Sequence, residues 1–399
     1  MRFTLTLLVA LSSLAPSASG DGGPCSSSRD CGYLGDCVAD RCVCDAGWGG
    51  VGCASLLLAP APPDAGLRQA RSSSWCGTVL PGPGTSSWTM LSADMSNCTL
   101  DVWLSGSQVI IATGASPLGP FTPTGARAIA AEAHNPQAVR APDGSYLLFD
   151  SYGGPDAGCP GTANLTSCAG GRMCRPKMPA AGGAAPFFFH TAPAPTGPWS
   201  PHATTVDYPC FSENLTPSPA FLPDGSLLLA FHCDAGGARA MGDLVLVRSP
   251  DWRSAPFARV GDVAWRVCGN GAANATCVQP HPEDPYLFVR ASPRGGALSL
   301  HIILHNTPRG IHLFSDDGGR SFALQQALGA DGAPLAPFVY EELVQQSDGS
   351  SFTCSRRERP WLLLGGGPRG DAPTALVTAV QAAAVHAGTF THVQPIESA

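Results

Sequence analysis

The chain has 399 residues, of which 47 are Gly and 38 are Pro, and only 13% are charged; this density of breakers favours many short strands joined by tight turns and argues against long helices. The net charge is −7, and no Lys/Arg cluster is dense enough to follow a phosphate backbone, so nucleic acid is a poor partner. The length admits two or three domains, or one large all-β domain beside a small one.

The opening stretch, MRFTLTLLVALSSLAPSASG, places Arg2 before an apolar core and small residues after it. Residues 1–20 are therefore expected to be a secretory signal peptide cut after Gly20; a buried N-terminal strand is the plain alternative. No later apolar run reaches the roughly 18–20 residues that span a bilayer. Ala375 to Val385 is too short and is interrupted by Gln381. The 16 cysteines are an even number, as disulfide pairing in an oxidising compartment requires. N-x-[ST] sequons agree, with Asn97, Asn164 and Asn274 as expected glycosylation sites; Asn214 is weaker because Pro217 follows its Thr. Together these features predict a secreted, extracellular protein.

Residues 25–53 read CSSSRDCGYLGDCVADRCVCDAGWGGVGC, a C-x5-C-x5-C-x4-C-x-C-x8-C spacing with Gly47-Trp48-Gly49 ahead of the last cysteine. So small a segment cannot bury enough apolar area to fold alone, and covalent staples must replace a core. Spacing by itself leaves fifteen connectivities open. The segment, expected over 21–54, resembles an EGF-like module, and that resemblance implies the pairs Cys25–Cys37, Cys31–Cys42 and Cys44–Cys53. The acidic cluster of calcium-binding members is missing, since only Asp21 precedes the first cysteine. Cys42-Val43-Cys44 without a nearby His suits a disulfide better than a metal. Residues 55–74, beginning SLLLAPAPPDAG, read as a Pro/Ala linker able to add a short strand to the next domain.

The remainder, expected as one domain over 75–399, repeats itself. NPQAVRAPDGSYLLF (135–149) and TPSPAFLPDGSLLLAF (216–231) each place a Pro six positions before a Pro-Asp-Gly turn and continue into an apolar strand. Looser copies start at Pro285 and Pro360, so the steps from Pro136 and Pro217 onward are 81, 68 and 75 residues. Second halves ending in Pro- or Gly-rich corners recur at 109–121, 187–199, 244–257 and 311–322, and the first belongs to a unit around 85–107. About five units of four strands each predict an all-β fold, a five-bladed β-propeller, which solves its edge problem by radial closure. A β-sandwich explains the turns but not the two-part unit.

These units, over roughly residues 75–395, resemble the five-bladed propellers of glycoside hydrolases related to family 43, through the X-x-Pro word before each first strand and the S/T-x-x-x-GP-[WF] corners. They are also similar to a group of protist proteins that carry HNP, EDP and RERP in successive blades. The resemblance implies that residues just before each innermost strand converge in a polar funnel: His134 and Asn135, Asn214 and Thr216, Glu283 and Asp284, Arg357 and Glu358, with Asp94 in the first unit. Carbohydrate is the implied ligand, and an extracellular protein the expected partner of the EGF-like module.

Glycosidic hydrolysis needs an acid for the leaving oxygen and a second carboxylate. Glu283 is the expected general acid, with Asp94 and Glu358 as candidates for the second role. Asn135 stands where the family's words commonly hold an Asp base; an amide can orient a hydroxyl but cannot take a proton at neutral pH. His134, Asn135, Asp284, Arg357 and His305 are expected to contact substrate, Arg357 or Arg359 as a carboxylate clamp or as a plain ion pair within the funnel. His301 and His305 share one strand face, and core or substrate contact suits them better than metal ligation. Trp88 and Trp103 are candidates to stack on sugar or to pack in the core. The ten cysteines after the module are expected to form five bridges, Cys268 with Cys277 and Cys159 with Cys168 or Cys174 among them. No cofactor or metal is assigned; an axial calcium or chloride is not inferable from the residues. Ser315 to Phe322 matches an Asp-box, which resembles sialidases and makes a sialidase-like propeller the third reading; the box itself is a structural turn, and sialidases tend to carry several copies. The competing reading is a lectin-like adhesive propeller without turnover.

Overall fold

The computed structural model describes residues 22–84, 86–103, 106–130, 133–151, 168, 183–208, 216–233, 243–261, 283–291, 298–306, 308–328, 334–335, 338–366, 371–382 and 388–397. Among them the chain is β apart from two single 3-10 turns, Val51–Cys53 and Leu100–Val102. No helix there is long and apolar enough to cross a membrane.

Five antiparallel four-stranded sheets follow one another. Blade 1 runs Ser74–Pro81, Trp88–Asp94, Gln108–Gly114 and Thr122–Ile129. Blade 2 runs Gln137–Arg140, Tyr146–Phe149, Gly183–Ala192 and Ser200–Tyr208. Blade 3 runs Ser218–Phe221, Leu227–Cys233, Asp243–Ser249 and Ala258–Arg259. Blade 4 runs Glu283–Ala291, Leu298–Asn306, Arg309–Ser315 and Ala323–Leu324. Blade 5 holds Leu343–Gln345, Ser351–Gly366, Ala372–Ala382 and Phe390–Pro395. The innermost strands of successive blades touch all the way round, and the last touches the first, so the sheets form the expected propeller. Blade 1 starts at Ser74, ahead of the 85–107 stretch that carried its sequence signal.

Alternation explains why the ring holds. Along Leu227–Phe231 every residue is buried, but Leu227, Leu229 and Phe231 face blade 2 while Leu228 and Ala230 face blade 4. A strand covered on both faces therefore reads as an unbroken apolar run. Each seam has its own core, and the one joining blades 5 and 1 sets Leu363, Val377 and Val393 against Val79 and Met90. The repeated turns behave as their residues demand. Asp143 and Asp224 each accept from the backbone N–H two residues on, at 3.0 Å, while Gly144 and Gly225 take φ of 90° and 84°.

The N-terminal module has the three implied disulfides, Cys25–Cys37, Cys31–Cys42 and Cys44–Cys53. It has no separate core. Cys31, Leu34 and Trp48 share a cluster with Tyr286 and Phe288 of blade 4, Leu362 of blade 5 and Tyr340 of the segment between those blades, and Trp48 lies parallel to Phe288 at 6.2 Å. Arg290 pairs with Asp45, and the Asp-box residue Asp316 accepts from Arg29 at 2.7 Å and Tyr33 at 2.6 Å. A buried chain runs from the Ser299 hydroxyl to His301 (2.8 Å), His301 to His312 (2.9 Å), His312 to Gln325 (2.5 Å) and Gln325 to the Gly52 carbonyl.

The stretch expected as a linker lies along the outer strand of blade 5 as a strap. Leu58 bridges Ile396 and Leu67 bridges Thr391; Ala61, Ala65 and Leu67 are buried. The Ala59 N–H donates to the Pro395 carbonyl at 2.9 Å.

Two cysteine expectations need correction. Cys168 bonds Cys98, 70 residues away, rather than Cys159 or Cys174. Cys76 and Cys354 are free and buried, so the ten later cysteines do not form five bridges. Spacing could show neither, because partners are set by blade packing. Cys159, Cys174, Cys268, Cys277 and the sequons at Asn164, Asn214 and Asn274 lie outside the described residues.

Candidate active site in the axial funnel

Each innermost strand opens with the same backbone irregularity. Cys76, Asn135, Thr216, Asp284 and Arg359, one per blade, all have positive φ, from 40° to 59°. Four precede a Pro and the fifth precedes Gly77. Strand register slips at this point in blades 1, 4 and 5. A left-handed residue there re-aims the chain, as a bulge does, and these five side chains line one small axial chamber. The blade 1 member of this set is Cys76; Asp94 ends the second strand of that blade, opposite Ser74. The blade 5 member is Arg359.

Asp284 is the hub. One carboxylate oxygen meets His305 Nδ1 at 2.7 Å and the other forms an ion pair with Arg359. Glu283, Asp284 and His305 present polar atoms within 4.8 Å of one another. Arg359 Nη1 already holds one Asp284 oxygen, a cation in contact with the cluster that a metal would have to displace. Glu358, also buried, is held by Arg356 through two bonds of 2.7 and 3.0 Å, and the Arg356 guanidinium lies 4.8 Å from the Trp75 ring centre. Burial lowers the pKa of His305, opposed by the charges of Glu358 and Glu283, so the imidazole is neutral at pH 7. His134, 1% exposed, is held neutral by burial and by the charges of Arg359 and Arg356. Two arginines thus face three carboxylates. Glu283, half-buried, is the carboxylate without an Arg or Lys partner among the described residues.

The other expected site residues are placed differently. Asp94 accepts four hydrogen bonds, from Gln69 (2.8 Å), Ser72 (2.6 Å), the Ser96 N–H (2.9 Å) and Gln108 (2.9 Å), which fills its lone pairs. Arg357 is fully buried away from the chamber, donating to the Glu341 carbonyl and to Gln394, each at 2.7 Å. Asn135 donates to Ser151 at 2.9 Å, and its carbonyl faces the Cys76 thiol at 3.7 Å. Burial pushes that thiol up to about 12, so Cys76 is no nucleophile. Arg356 escaped the sequence reading, yet it sits two residues before Glu358 in a strand, and period-two alternation puts both on one face.

No protein-family model and no curated protein sequence matches the chain. Solved structures are similar in chain path. A family 117 glycoside hydrolase produced by the marine bacterium Zobellia galactanivorans is 11% identical, covering 86% of this chain and 90% of its own, with a TM-score of 0.46. An endo-arabinanase of family 43 from Bacillus licheniformis is 9% identical over 83% and 96%, with a TM-score of 0.44. A family 43 β-xylosidase/α-arabinofuranosidase from a compost metagenome, in complex with xylotriose, is 9% identical over 86% and 98%, with a TM-score of 0.43.

Proposed function

We propose that the chain is an exported glycan-active protein that hydrolyses a glycosidic bond in its axial funnel, with Glu283 as the proton donor. The observation that carries this reading is Glu283 itself. It is the funnel carboxylate with no paired arginine among the described residues, part-exposed, and beside the neutral His305 and the charged Asp284–Arg359 pair. A carboxyl group so placed is free to hand a proton to a leaving oxygen. Glu358 is the better candidate for the second carboxylate, because Asp94 has no acceptor capacity left. The four disulfides among the described residues suit an oxidising compartment.

A specific observation favours a second reading, in which the funnel binds glycan without turnover. Asn135 is an amide engaged with Ser151, and Glu358 is clamped by Arg356, so no unencumbered base faces Glu283 among the described residues. In that case the EGF-like module would add contacts to an extracellular protein, and its hairpin does expose Val38 and Val43.

Purified protein on a panel of aryl-glycosides and oligosaccharides separates the two. The hydrolase reading expects turnover, and Glu283→Gln should lower kcat by roughly 10²–10⁴-fold with KM little changed. Turnover that survives this substitution overturns the role of Glu283. Saccharide binding without turnover, unaltered by it, establishes the lectin.

A further inference from the structure

A second cavity lies outside the axial chamber, against blade 1. It is a groove of about 460 Å3 bounded by Gln69, Asp94, Ser96, Asn97, Gln108 and Arg127. That volume falls within the roughly 300–1,000 Å3 of small-molecule sites. Its polar wall is built by the saturated Asp94. Gln69 and Gln108 both give their amide nitrogens to that carboxylate, which turns both amide carbonyls the other way. Neither carbonyl has a partner among the described residues. Gln108 is only 7% exposed, so its side chain is held in place and its carbonyl is left to accept from whatever occupies the groove.

Asn97 is exposed on the groove's rim, at a left-handed position with φ of 65°. It opens the sequon Asn97-Cys98-Thr99, and Thr99 is also exposed. Below it runs the outer strand Thr122–Ile129, whose first six residues are all exposed. Three other blades shorten or shield this position: the strap covers it in blade 5, and the outer strands of blades 3 and 4 are two residues long; blade 2 keeps a nine-residue outer strand, bridged at Val206 by Phe257. An uncovered eight-residue edge is a template for pairing with another chain.

We propose that Asn97 carries an N-linked glycan whose first N-acetylhexosamine units lie in this groove and cover the outer strand of blade 1. The attaching step joins Asn97 Nδ2 to the anomeric carbon of a polyprenyl-diphosphate-linked oligosaccharide. The C–O bond to the diphosphate breaks, the diphosphate departs with the electron pair, and the amide proton passes to the transferase. Cys98 does not obstruct it, because its partner Cys168 is made 70 residues later. Acetamido N–H and hydroxyl groups then supply donors to the Gln69 and Gln108 carbonyls.

The test is glycopeptide mapping of the full chain secreted from a eukaryotic host, followed by hydrogen exchange of that protein, of Thr99→Ala, and of Gln69→Ala. Expected are a glycan at Asn97 and exchange across 122–130 that quickens at least tenfold in Thr99→Ala. Gln69→Ala should keep the glycan and lose part of the protection. An unmodified Asn97 overturns the proposal, and so does a modified Asn97 with no change in exchange. Free N-acetylated disaccharide that restores full protection to Thr99→Ala replaces the covalent seat with a site for soluble saccharide.

Discussion

Five non-glycine residues at the axis hold left-handed backbone, at a cost of about 1 kcal/mol or more each, so the surrounding contacts must over-determine them. Arg359 and Asp284 supply one such contact. Both are buried, and each is the other's neutralising charge. Arg359→Met would leave Asp284 charged in the interior with only the neutral His305 against it, with an expected loss of about 3–5 kcal/mol in denaturant unfolding. Arg359→Met with Asp284→Leu should recover most of that loss, because removing both charges is far cheaper than stranding one. A double variant as unstable as the single one would show that the pair is not coupled. At this scale the sequence revealed Glu283, Asp284 and Glu358 through their Pro-linked words. It concealed Cys76, which precedes a Gly where the other blades have Pro.

Among the elements, the strap carries the most unexpected load. Gly66 has φ of 89°, and a Cβ there would come 2.1 Å from the Thr391 carbonyl oxygen. Gly66→Ala is therefore expected to cost more than about 1 kcal/mol and to speed exchange along 390–396 before other strands. Uniform acceleration across all blades would contradict a local seam. The strap was legible only as a linker able to add a short strand, because its Pro-rich run limits pairing to isolated bridges and gives no sign of which blade receives it. The blades were legible because Pro-Asp-Gly turns and apolar runs are local signals. The Cys98–Cys168 bridge closes a loop too long for spacing to suggest it.

Across the whole molecule, burial holds many histidines neutral. His134, His301, His305, His312 and His392 all have lowered pKa values, His312 to about 4 and His392 to about 3. An unfolded histidine takes its proton near pH 6.5, so the unfolded chain binds more protons below that value. Their stabilising effect is present in full above pH 6.5 and drains away as pH falls toward 4, by about 1.4 kcal/mol per histidine per pH unit. Thermal or urea midpoints should drop steeply from pH 7 to pH 5. His301 and His312 belong to the hydrogen-bond chain that reaches the module through Gln325 and the Gly52 carbonyl, beside Arg290 and its partner Asp45, so exchange within residues 30–53 should rise first. Midpoints that stay flat over this range would refute the account.

The union of the strap with the final strand also sets a timetable. Gln394 bonds the carbonyl of Ala59 across 335 residues of chain. At roughly 5–20 residues per second of synthesis, the module and strap wait on the order of 15–70 s for their seat to exist. Throughout that delay Trp48 and its neighbours have no propeller to lean on, and only three cystines keep the module in shape. Oxidation that lags behind translation would therefore leave an apolar face uncovered, making early bridge formation a condition for later ring assembly.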